Sequence, residues 1–264
     1  TRSDRDWSSD VCSSDLMIDG HALVAETNRI NLYSEYSLHD QLKRLAAGSG
    51  GRIEVVIEGK IADALRPDGE IVEIQTGTLS SLVDKARFWS LRGYKQRIQV
   101  PLAVQKTIVR VRQDTGEVIS RRKSPKKEEL WSVFDRLVRA SGLLSLRGLV
   151  MELVSIEMEE IRAVLEEPVR RGRFLRSYAT IDRNLIAVRE SREFSSPADW
   201  LSLLPENDDG YWTSASLGNA AGMGIGQARK LLYTFCRAGF LRQIPSEDRA
   251  KRYEPAQPSG VKPD

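Results

Sequence analysis

Cysteine, histidine and long apolar runs are all scarce in this chain. Cys12 and Cys236 are the only cysteines, which excludes a disulfide framework and a cysteine-rich zinc site. His21 and His39 are the only histidines, and they are too few for a zinc site built on imidazoles. No apolar run approaches the ~20 residues that span a bilayer, and no apolar segment follows a basic start as in a secretory signal. We therefore expect a cytoplasmic protein with no membrane partner.

The composition is typical of a soluble globular protein, with 41% hydrophobic and 29% charged residues among 264. The net charge of +3 is too small to identify a polyanionic partner, so the distribution of charge along the chain must decide. Residues 1–16 precede the first methionine and are rich in Ser and Asp, which predicts a non-native or disordered leader. We divide the rest into a first domain at 17–194, a second domain at 195–256 and a disordered tail at 257–264.

The first domain begins with helix and strand patterns in alternation. Leu38, Leu42 and Leu45 form the apolar stripe of a helix over 34–47, which Ser34 caps. Short β-branched runs then predict antiparallel strands. After the first helix, the predicted elements are strands at 52–58, 60–65 and 70–76, a helix at 79–91, and strands at 97–100 and 106–112. Pro101 between the last two marks an interruption or a sheet edge. This order predicts a mixed α/β (α+β) sheet with helices packed against it.

A tight turn joins the second and third predicted strands. Residues 67–69 read Pro-Asp-Gly, a turn signal in which proline presets its φ and glycine takes a positive φ. The period of two in the third strand places Glu73 and Gln75 together on one face. Asp63 lies on the neighbouring strand. Its carboxylate and that of Glu73 could therefore hold a divalent metal against a phosphodiester.

These residues resemble a known family. Glu35 in the first helix, Asp63 in the second strand and the Glu-Ile-Gln of 73–75 in the third resemble the PD-(D/E)XK phosphodiesterase superfamily, whose fold is restriction endonuclease-like. The resemblance covers roughly 31–112 in the order αβββαβ. It implies a nuclease that uses Mg²⁺ or Mn²⁺, with Asp63 and Glu73 as metal ligands and Glu35 as an assisting acid. Mg²⁺ prefers hard oxygen ligands such as these carboxylates, with water and substrate phosphate completing its shell.

One position departs from the family pattern. Gln75 stands where lysine is commonest, and its amide can orient the attacking water but carries no charge to stabilise a hydroxide. Other members supply the lysine from another element, and Lys85 in the second helix and Lys60 before Asp63 are the two candidates. His39 is on the same helix face as Glu35, four residues earlier, and could contact phosphate or orient that acid. Helix packing or exposure is the simpler interpretation.

Less regular patterns follow. A basic patch at 121–127 precedes a predicted helix at 128–140 and a predicted strand at 149–162. The region 164–192 is rich in arginine, and we interpret it as solvated loop and hairpin surface rather than as a dedicated site. A Ser-Ser-Pro sequence at 195–197 marks the boundary of the second domain, because proline favours the first turn of a helix that serine caps.

The second domain has a helix-turn-helix pattern. From Thr213 a capped helix, a glycine-containing turn and an amphipathic helix follow one another. With a helix at 197–204 before them and two strands within 241–253 after them, they resemble a winged helix-turn-helix domain. Seven basic residues against two acidic ones between 222 and 253 provide attraction for phosphates. The resemblance implies DNA contacts from the second helix and the wing: Gln227, Arg229, Lys230, Thr234, Arg249, Lys251 and Arg252.

The sequence therefore predicts a Mg²⁺-dependent nuclease that a winged helix positions on DNA, and cutting of both strands would favour a homodimer. A second interpretation is a catalytically inactive DNA-binding regulator on a degenerate nuclease scaffold, which Gln75 in place of lysine favours. A third is an interaction protein without a nucleic-acid role. The first two predict DNA affinity that falls steeply with salt, whereas the third predicts weak and salt-insensitive binding.

Overall fold

A computed structural model describes residues 37–246 and 249–256, except for the side chain of Arg171. The first described element is helix α1 (Ser37–Ala47), which buries Leu38 and Leu42 as predicted. Leu45 was also expected on the buried stripe, but it is 59% exposed. Ala46, one residue further along the helix, is buried in its place.

The start of α1 is held by a residue from far along the chain. Asp182 accepts hydrogen bonds from the backbone N and the Oγ of Ser37, at 2.9 and 2.7 Å. The first-turn donors of a helix lack partners within the helix, so this carboxylate stabilises them. The predicted cap, Ser34, lies outside the described residues.

Three antiparallel strands follow, close to the predicted bounds. The turn between the second and third has Gly69 at a φ of 84°, and its N–H donates to the carbonyl of Arg66 at 3.0 Å. A side chain would be strained in that conformation, so the glycine is required there. The strands are β1 (Arg52–Ile57), β2 (Lys60–Leu65) and β3 (Ile71–Ile74).

The next helix and strand position β3 in the sheet. A 3₁₀ turn leads into α2 (Val83–Leu91), which buries Ala86 and Trp89 as predicted. Strand β4 (Gln96–Arg112) then pairs in parallel with β3 and continues through Pro101, so of the two interpretations of this proline the interruption is wrong. The pairing of β3 with β4 ends opposite Gln99, so the N–H that proline lacks is not needed on that side.

Long strands complete a seven-stranded mixed sheet. β6 pairs in parallel with β4 and antiparallel with β7, and β5 pairs with the far half of β4. The order is β1-β2-β3-β4-β6-β7 with β5 beside β4, and this confirms the predicted mixed α/β sheet with helices against it. The arginine-rich region forms most of the β6–β7 hairpin. The strands are β5 (Val118–Lys123), β6 (Leu149–Arg171) and β7 (Phe174–Phe194).

The predicted helix at 128–140 is shorter than expected. The segment forms a 3₁₀ turn at Leu130–Val133, the short helix α3 (Phe134–Leu137) and a second 3₁₀ turn at Ser141–Ser145. Ala140 leaves helical geometry with a φ of −137°, so the helix cannot continue there. The apolar residues of the segment still reach the core, where Phe134 is fully buried.

The C-terminal segment contains three helices and a two-stranded sheet. Ser196 and Thr213 cap α4 and α5 through their side chains, and Gly239 ends α6 at a φ of 81°. Trp212 forms a β-bridge with Tyr253. In the described ranges no helix has the length and apolar character needed to cross a membrane. The elements are α4 (Pro197–Leu201), α5 (Ser214–Ala220), α6 (Ile225–Ala238), β8 (Leu241–Ile244) and β9 (Arg252–Pro255).

The core is divided by the sheet. On one face, α1 packs against β2, β3 and β6. On the other face, one continuous cluster joins α2, β4 and β6 to the C-terminal helices. At its centre Phe194 of β7 stacks on Trp200 of α4 with ring centroids 4.1 Å apart, and Phe235 of α6 packs edge-on to Trp200. The C-terminal helices therefore share a hydrophobic core with the sheet.

Candidate active site

Asp63 and Glu73 lie side by side on adjacent strands. The β2–β3 register pairs Ala64 with Val72, which sets Asp63 across from Glu73. The N–H of Asp63 donates to Oε1 of Glu73 at 3.3 Å, and the N–H of Ile74 donates to Oδ2 of Asp63 at 2.8 Å. Each carboxylate is thus fixed by a hydrogen bond from the backbone of the other strand. Only 19% of the Asp63 side chain and 8% of the Glu73 side chain are exposed.

A lysine from α2 completes this pair. The Nζ of Lys85 lies 2.7 Å from Oε1 of Glu73, and it also lies 5.1 Å from the ring centroid of Trp89. Of the two lysines that the sequence offered, Lys85 contacts a predicted site residue. The ammonium of Lys60 instead lies 4.7 Å from the ring centroid of Phe88. The geometry therefore distinguishes between two candidates that the sequence left open.

Helix α1 brings two more groups to Asp63. His39 Nε2 lies 3.4 Å from Oδ2 of Asp63, and Lys43 Nζ lies 3.8 Å from its other oxygen, Oδ1. The two side chains are four residues apart and so share one helix face. From the sequence, His39 could contact phosphate or orient Glu35, with packing or exposure as the simpler interpretation. Its contact with Asp63 was not predicted, and Lys43 was missed. Their helical spacing from Glu35 was the signal that could have identified both.

The strand opposite Asp63 has an unusual backbone. The β1–β2 register pairs Ile53 with Ala64 and Val55 with Ala62, so Glu54 lies across from Asp63. Glu54 has a φ of 52°, a backbone conformation that residues other than glycine rarely adopt. Its Oε1 lies 3.1 Å from Nζ of Lys43. Backbone strain of this kind clusters at functional sites, and no feature of the sequence predicted it.

The two carboxyl groups have opposite pKa shifts. Burial, together with the negative charge of Asp63, raises the pKa of Glu73 from 4.5 to about 7, although Lys85 acts against this. Burial alone would also raise the pKa of Asp63. Hydrogen bonds from His39 and from the Ile74 N–H, with the charges of His39 and Lys43, outweigh it and hold the pKa of Asp63 below its usual value. The pair therefore has one carboxylate and one carboxyl group that titrates near neutral pH.

Of the other predicted site residues, Gln75 is not brought into this cluster. Gln75 lies beyond the end of β3, and its Nε2 donates to the carbonyl of Thr78 rather than to Asp63 or Glu73. Glu73 is buried beside Lys85, whereas the side chain of Gln75 is only partly buried. Glu35 lies outside the described residues.

The oxygen donors fit a hard divalent cation. Two close carboxylates in a poorly solvated hairpin repel each other, as the raised pKa of Glu73 indicates, and a cation would relieve that repulsion. Among the described residues no three His, Cys, Asp or Glu side chains are arranged to hold a metal. The described residues would therefore supply Asp63 and Glu73, and water and substrate phosphate could supply the other ligands, as is common for Mg²⁺.

Helix α6 exposes only part of the surface predicted to contact DNA. Thr234 is fully buried and donates to the carbonyl of Lys230, so the prediction that it faces DNA is wrong. Gln227 donates to the carbonyl of Trp131, and Lys230 pairs with Asp135 at 2.6 Å. These contacts hold α6 against the 3₁₀ turn and helix near residue 134. The sequence could not reveal them, because they join elements about 95 residues apart.

The other predicted DNA contacts border an open groove. A groove of about 780 Å³ runs between α5, α6 and the segment before β9. Arg229, Arg249 and Lys251 line it and are exposed, together with Ile225 and Tyr233. The guanidinium of Arg252 lies 4.8 Å from the ring centroid of Tyr211. The groove therefore combines basic and apolar groups, while the other face of α6 packs against the core.

Comparison with known proteins assigns the chain to a family. A family model described as "Domain of unknown function (DUF8091)" matches residues 36–195, and the chain belongs to this family. An uncharacterized protein of Treponema pallidum (strain Nichols) is 32% identical over 181 residues, which cover 67% of this chain and 70% of that protein. No solved structure matches the chain. The family region runs from α1 to β7, so it includes Asp63, Glu73 and Lys85.

Proposed function

We propose that this protein is a metal-dependent phosphodiesterase that acts on DNA, with its active site at Asp63, Glu73 and Lys85. The observation that carries the proposal is the contact of 2.7 Å between Lys85 and Glu73, beside the paired carboxylates of β2 and β3. This set contains two acids and one lysine, the groups that the PD-(D/E)XK resemblance requires. Lys85 takes the place that Gln75 occupies in the sequence pattern.

The element order supports the same proposal. The described part of the first domain runs α1-β1-β2-β3-α2-β4, with β3 and β4 parallel, which agrees with the αβββαβ order of the resemblance. The C-terminal elements run α4-α5-α6-β8-β9, the order of a winged helix. In our proposal the groove beside α6 binds the DNA backbone through Arg229, Arg249 and Lys251.

Each side chain of the site has a chemical role in this proposal. Asp63 and Glu73 would hold Mg²⁺, which when bound polarises the phosphodiester and activates water. Lys85 provides a positive charge beside Glu73, where it stabilises negative charge that develops on the attacking oxygen or the phosphate. His39 and Lys43 hold Asp63 in its ionised form from the other side. Glu35 remains a predicted assisting acid.

One observation favours a second function, that of a catalytically inactive DNA-binding regulator. Lysines lie near both carboxylates, at 3.8 Å for Lys43 with Asp63 and 2.7 Å for Lys85 with Glu73. Ion pairs of this kind can stabilise a fold without any metal. In this alternative the groove beside α6 still binds DNA, but the hairpin of β2 and β3 is a structural remnant.

The test is cleavage of supercoiled plasmid and of labelled linear duplex by the full chain with Mg²⁺, Mn²⁺ or EDTA. We expect metal-dependent cutting that Asp63→Ala and Glu73→Ala abolish. Lys85→Ala should reduce the rate by about 10²–10³-fold, as removal of one charge-stabilising donor typically does. Lys60→Ala is the matched control and should leave the rate unchanged. Circular dichroism and melting curves exclude misfolded variants.

The outcomes separate the two functions. Cutting that needs Lys85 and tolerates removal of Lys60 supports the enzyme. If the protein binds the duplex but does not cut it under any metal condition, the result supports the regulator. An equal reduction of cutting in both lysine variants would contradict the active site proposed here.

A further inference from the structure

The β6–β7 hairpin extends beyond the rest of the sheet. β6 pairs with β4 as far as Val164, which lies opposite Arg112, and beyond that point only β7 pairs with it in the described structure. Val169 pairs with Arg176 and Arg170 pairs with Leu175, and Gly172 turns the chain at a φ of 62°. Residues 169–176 thus form the end of a two-stranded ribbon, which we name the hairpin tip.

The hairpin tip combines cationic and apolar groups that are exposed to solvent. Phe174 is 72% exposed, Leu175 is 69% exposed and Val169 is 58% exposed. Arg170, Arg173 and Arg176 are exposed too, and none of them forms an ion pair within the described part of the chain. The sequence carries four arginines and no acid between residues 168 and 181. A cluster with this charge attracts a polyanion, and its apolar side chains need a partner with an apolar surface.

Most other arginines of the hairpin differ from those of the tip. Arg189 pairs with Glu157 at 2.6 Å, Arg183 pairs with Glu160 at 3.2 Å, and Arg162 lies 4.2 Å from the ring centroid of Tyr178. These contacts keep their guanidinium groups on the ribbon. The arginine-rich region, treated as one solvated surface in the sequence, therefore has a base with paired guanidinium groups. At its tip, Arg170, Arg173 and Arg176 form no ion pair with other described residues.

We infer that the hairpin tip is a contact arm that grips duplex DNA at a distance from the active site. This inference deepens the proposed function, on which its choice of ligand rests. Arginine fits phosphate oxygens through paired N–H donors, so the guanidinium groups would bind the backbone. A two-stranded β-ribbon fits the major groove, which is about 12 Å wide, and Phe174 and Leu175 would contact the base edges there.

Strand register gives the reach of this arm. Glu73 lies level with Ile98 of β4 and with Met151 of β6. From Met151 to Arg170 the strand advances 19 residues along the sequence, which at ~3.3 Å per residue is at most about 63 Å. A straight duplex covers that distance with about 19 base pairs at ~3.4 Å each. A duplex of this length or more is therefore long enough to contact the active site and the hairpin tip at the same time.

The experiment measures binding of the full chain to labelled DNA by fluorescence anisotropy in EDTA, over a range of salt concentrations. It uses a duplex of about 40 base pairs and one of about 12, on either side of the calculated reach. The test variant carries Arg170→Gln, Arg173→Gln and Arg176→Gln. The control carries Arg52→Gln, Arg87→Gln and Arg147→Gln, which are exposed arginines away from the tip and change the net charge equally.

We expect the tip variant to bind the long duplex about tenfold or more weakly. The slope of log K against log salt should become less steep by about 2.7, or ~0.9 for each phosphate that an arginine no longer neutralises. The short duplex should show a much smaller decrease in affinity. A second variant, Phe174→Ser with Leu175→Ser, should weaken binding without changing the salt slope. Because the tip is exposed, melting temperatures should stay at the wild-type value.

Several results would overturn the inference. They are an equal decrease in affinity in the charge-matched control, unchanged affinity in the tip variant, or binding of the tip to phosphatidylserine vesicles and not to DNA. Failure of the proposed function gives a different pattern. If the wild type never cuts but the tip variant binds the long duplex weakly, the result supports the contact arm and contradicts the nuclease. If the tip variant cuts and binds as the wild type does, the result supports the nuclease and contradicts the contact arm.

Discussion

The ammonium of Lys43 lies 3.1 Å from Oε1 of Glu54, the residue whose backbone has a φ of 52° directly across from Asp63. Lys43 is almost fully buried, and among the described residues it also lies 3.8 Å from Asp63. One buried cation thus connects a strained strand to the candidate active site. The conformation of Glu54 and the position of Asp63 are fixed together.

The strain at Glu54 can be measured directly. Glu54→Ala and Glu54→Gly both remove the ion pair with Lys43, but only glycine adopts a positive φ without steric cost. We expect the glycine variant to be more stable than the alanine variant by about 1 kcal/mol, or about 2–4 °C in melting temperature. At Val56, an exposed β1 residue with ordinary φ, the same pair of substitutions should give the reverse order. Alanine more stable than glycine at both positions would argue against strain.

The raised pKa of Glu73 predicts a pH-dependent effect on stability. The folded state keeps the proton up to about pH 7, whereas the unfolded chain releases it near 4.5. Folding is therefore favoured below pH 4.5, and that contribution is lost as the pH rises through 7. In EDTA, Glu73→Gln should be more stable than the wild type above pH 7, by about 1–3 kcal/mol, with no difference below pH 4.5. Urea denaturation at several pH values measures this.

The contribution of Asp63 to folding stability should change with pH in the opposite direction to that of Glu73, so Asp63 serves as the matched comparison. Its folded pKa is lowered, so its ionised form stabilises the folded state above the unfolded pKa, and that contribution is lost as the pH falls through the folded value. Asp63→Asn should therefore be less stable than the wild type at neutral pH. Parallel pH profiles for the two variants would contradict the assigned environments.

Mg²⁺ should stabilise the folded protein through the same two carboxylates. A ligand that binds only the folded state adds about 2.7 kcal/mol when its concentration is 100 times its Kd. Differential scanning fluorimetry should show a melting temperature that rises with Mg²⁺ in the wild type and not in Asp63→Asn. Salts of monovalent ions at equal ionic strength control for screening. A shift of equal size in the variant would place the ion elsewhere.

The shared aromatic core predicts that the sheet and the C-terminal helices unfold together. Trp200 is 2% exposed and stacks on Phe194 of β7. Trp200→Ala should destabilise the protein by about 3–5 kcal/mol, as truncation of a buried aromatic side chain does. Urea unfolding followed by far-UV circular dichroism and by tryptophan fluorescence should give coincident transitions. Two separate transitions would instead indicate that α4 to β9 unfold on their own.

The contacts around the groove beside α6 predict which basic side chains bind DNA. Arg229, Arg249 and Lys251 are exposed along the groove, whereas Lys230 is paired with Asp135. Arg229→Gln should weaken duplex binding and lower the salt slope by about 0.9, since the variant neutralises one phosphate fewer. Lys230→Gln, the charge-matched control on the same helix, should have a smaller effect because it is already neutralised. Equal effects in anisotropy titrations would contradict this surface.

Local patterns in the sequence were sufficient for much of the architecture. The three strands, the turn at Gly69 and the buried face of α2 followed from periodicity and turn chemistry, which act over a few residues. The caps at Ser196 and Thr213 followed for the same reason. The helix predicted at 128–140 failed because its shape depends on packing against distant elements rather than on its own apolar spacing.

The sequence by itself determined the mixed α/β class and set Asp63 and Glu73 on adjacent strands, because strand order and alternation are local properties. Only the tertiary structure distinguished Lys85 from Lys60, because a lysine at a helix surface reaches a carboxylate only where the helix crosses the sheet. It alone showed that Thr234 is buried and that Lys230 pairs with Asp135, 95 residues away. The sequence gives the chemistry of each side chain, but the packing of helices and strands decides which side chains come into contact.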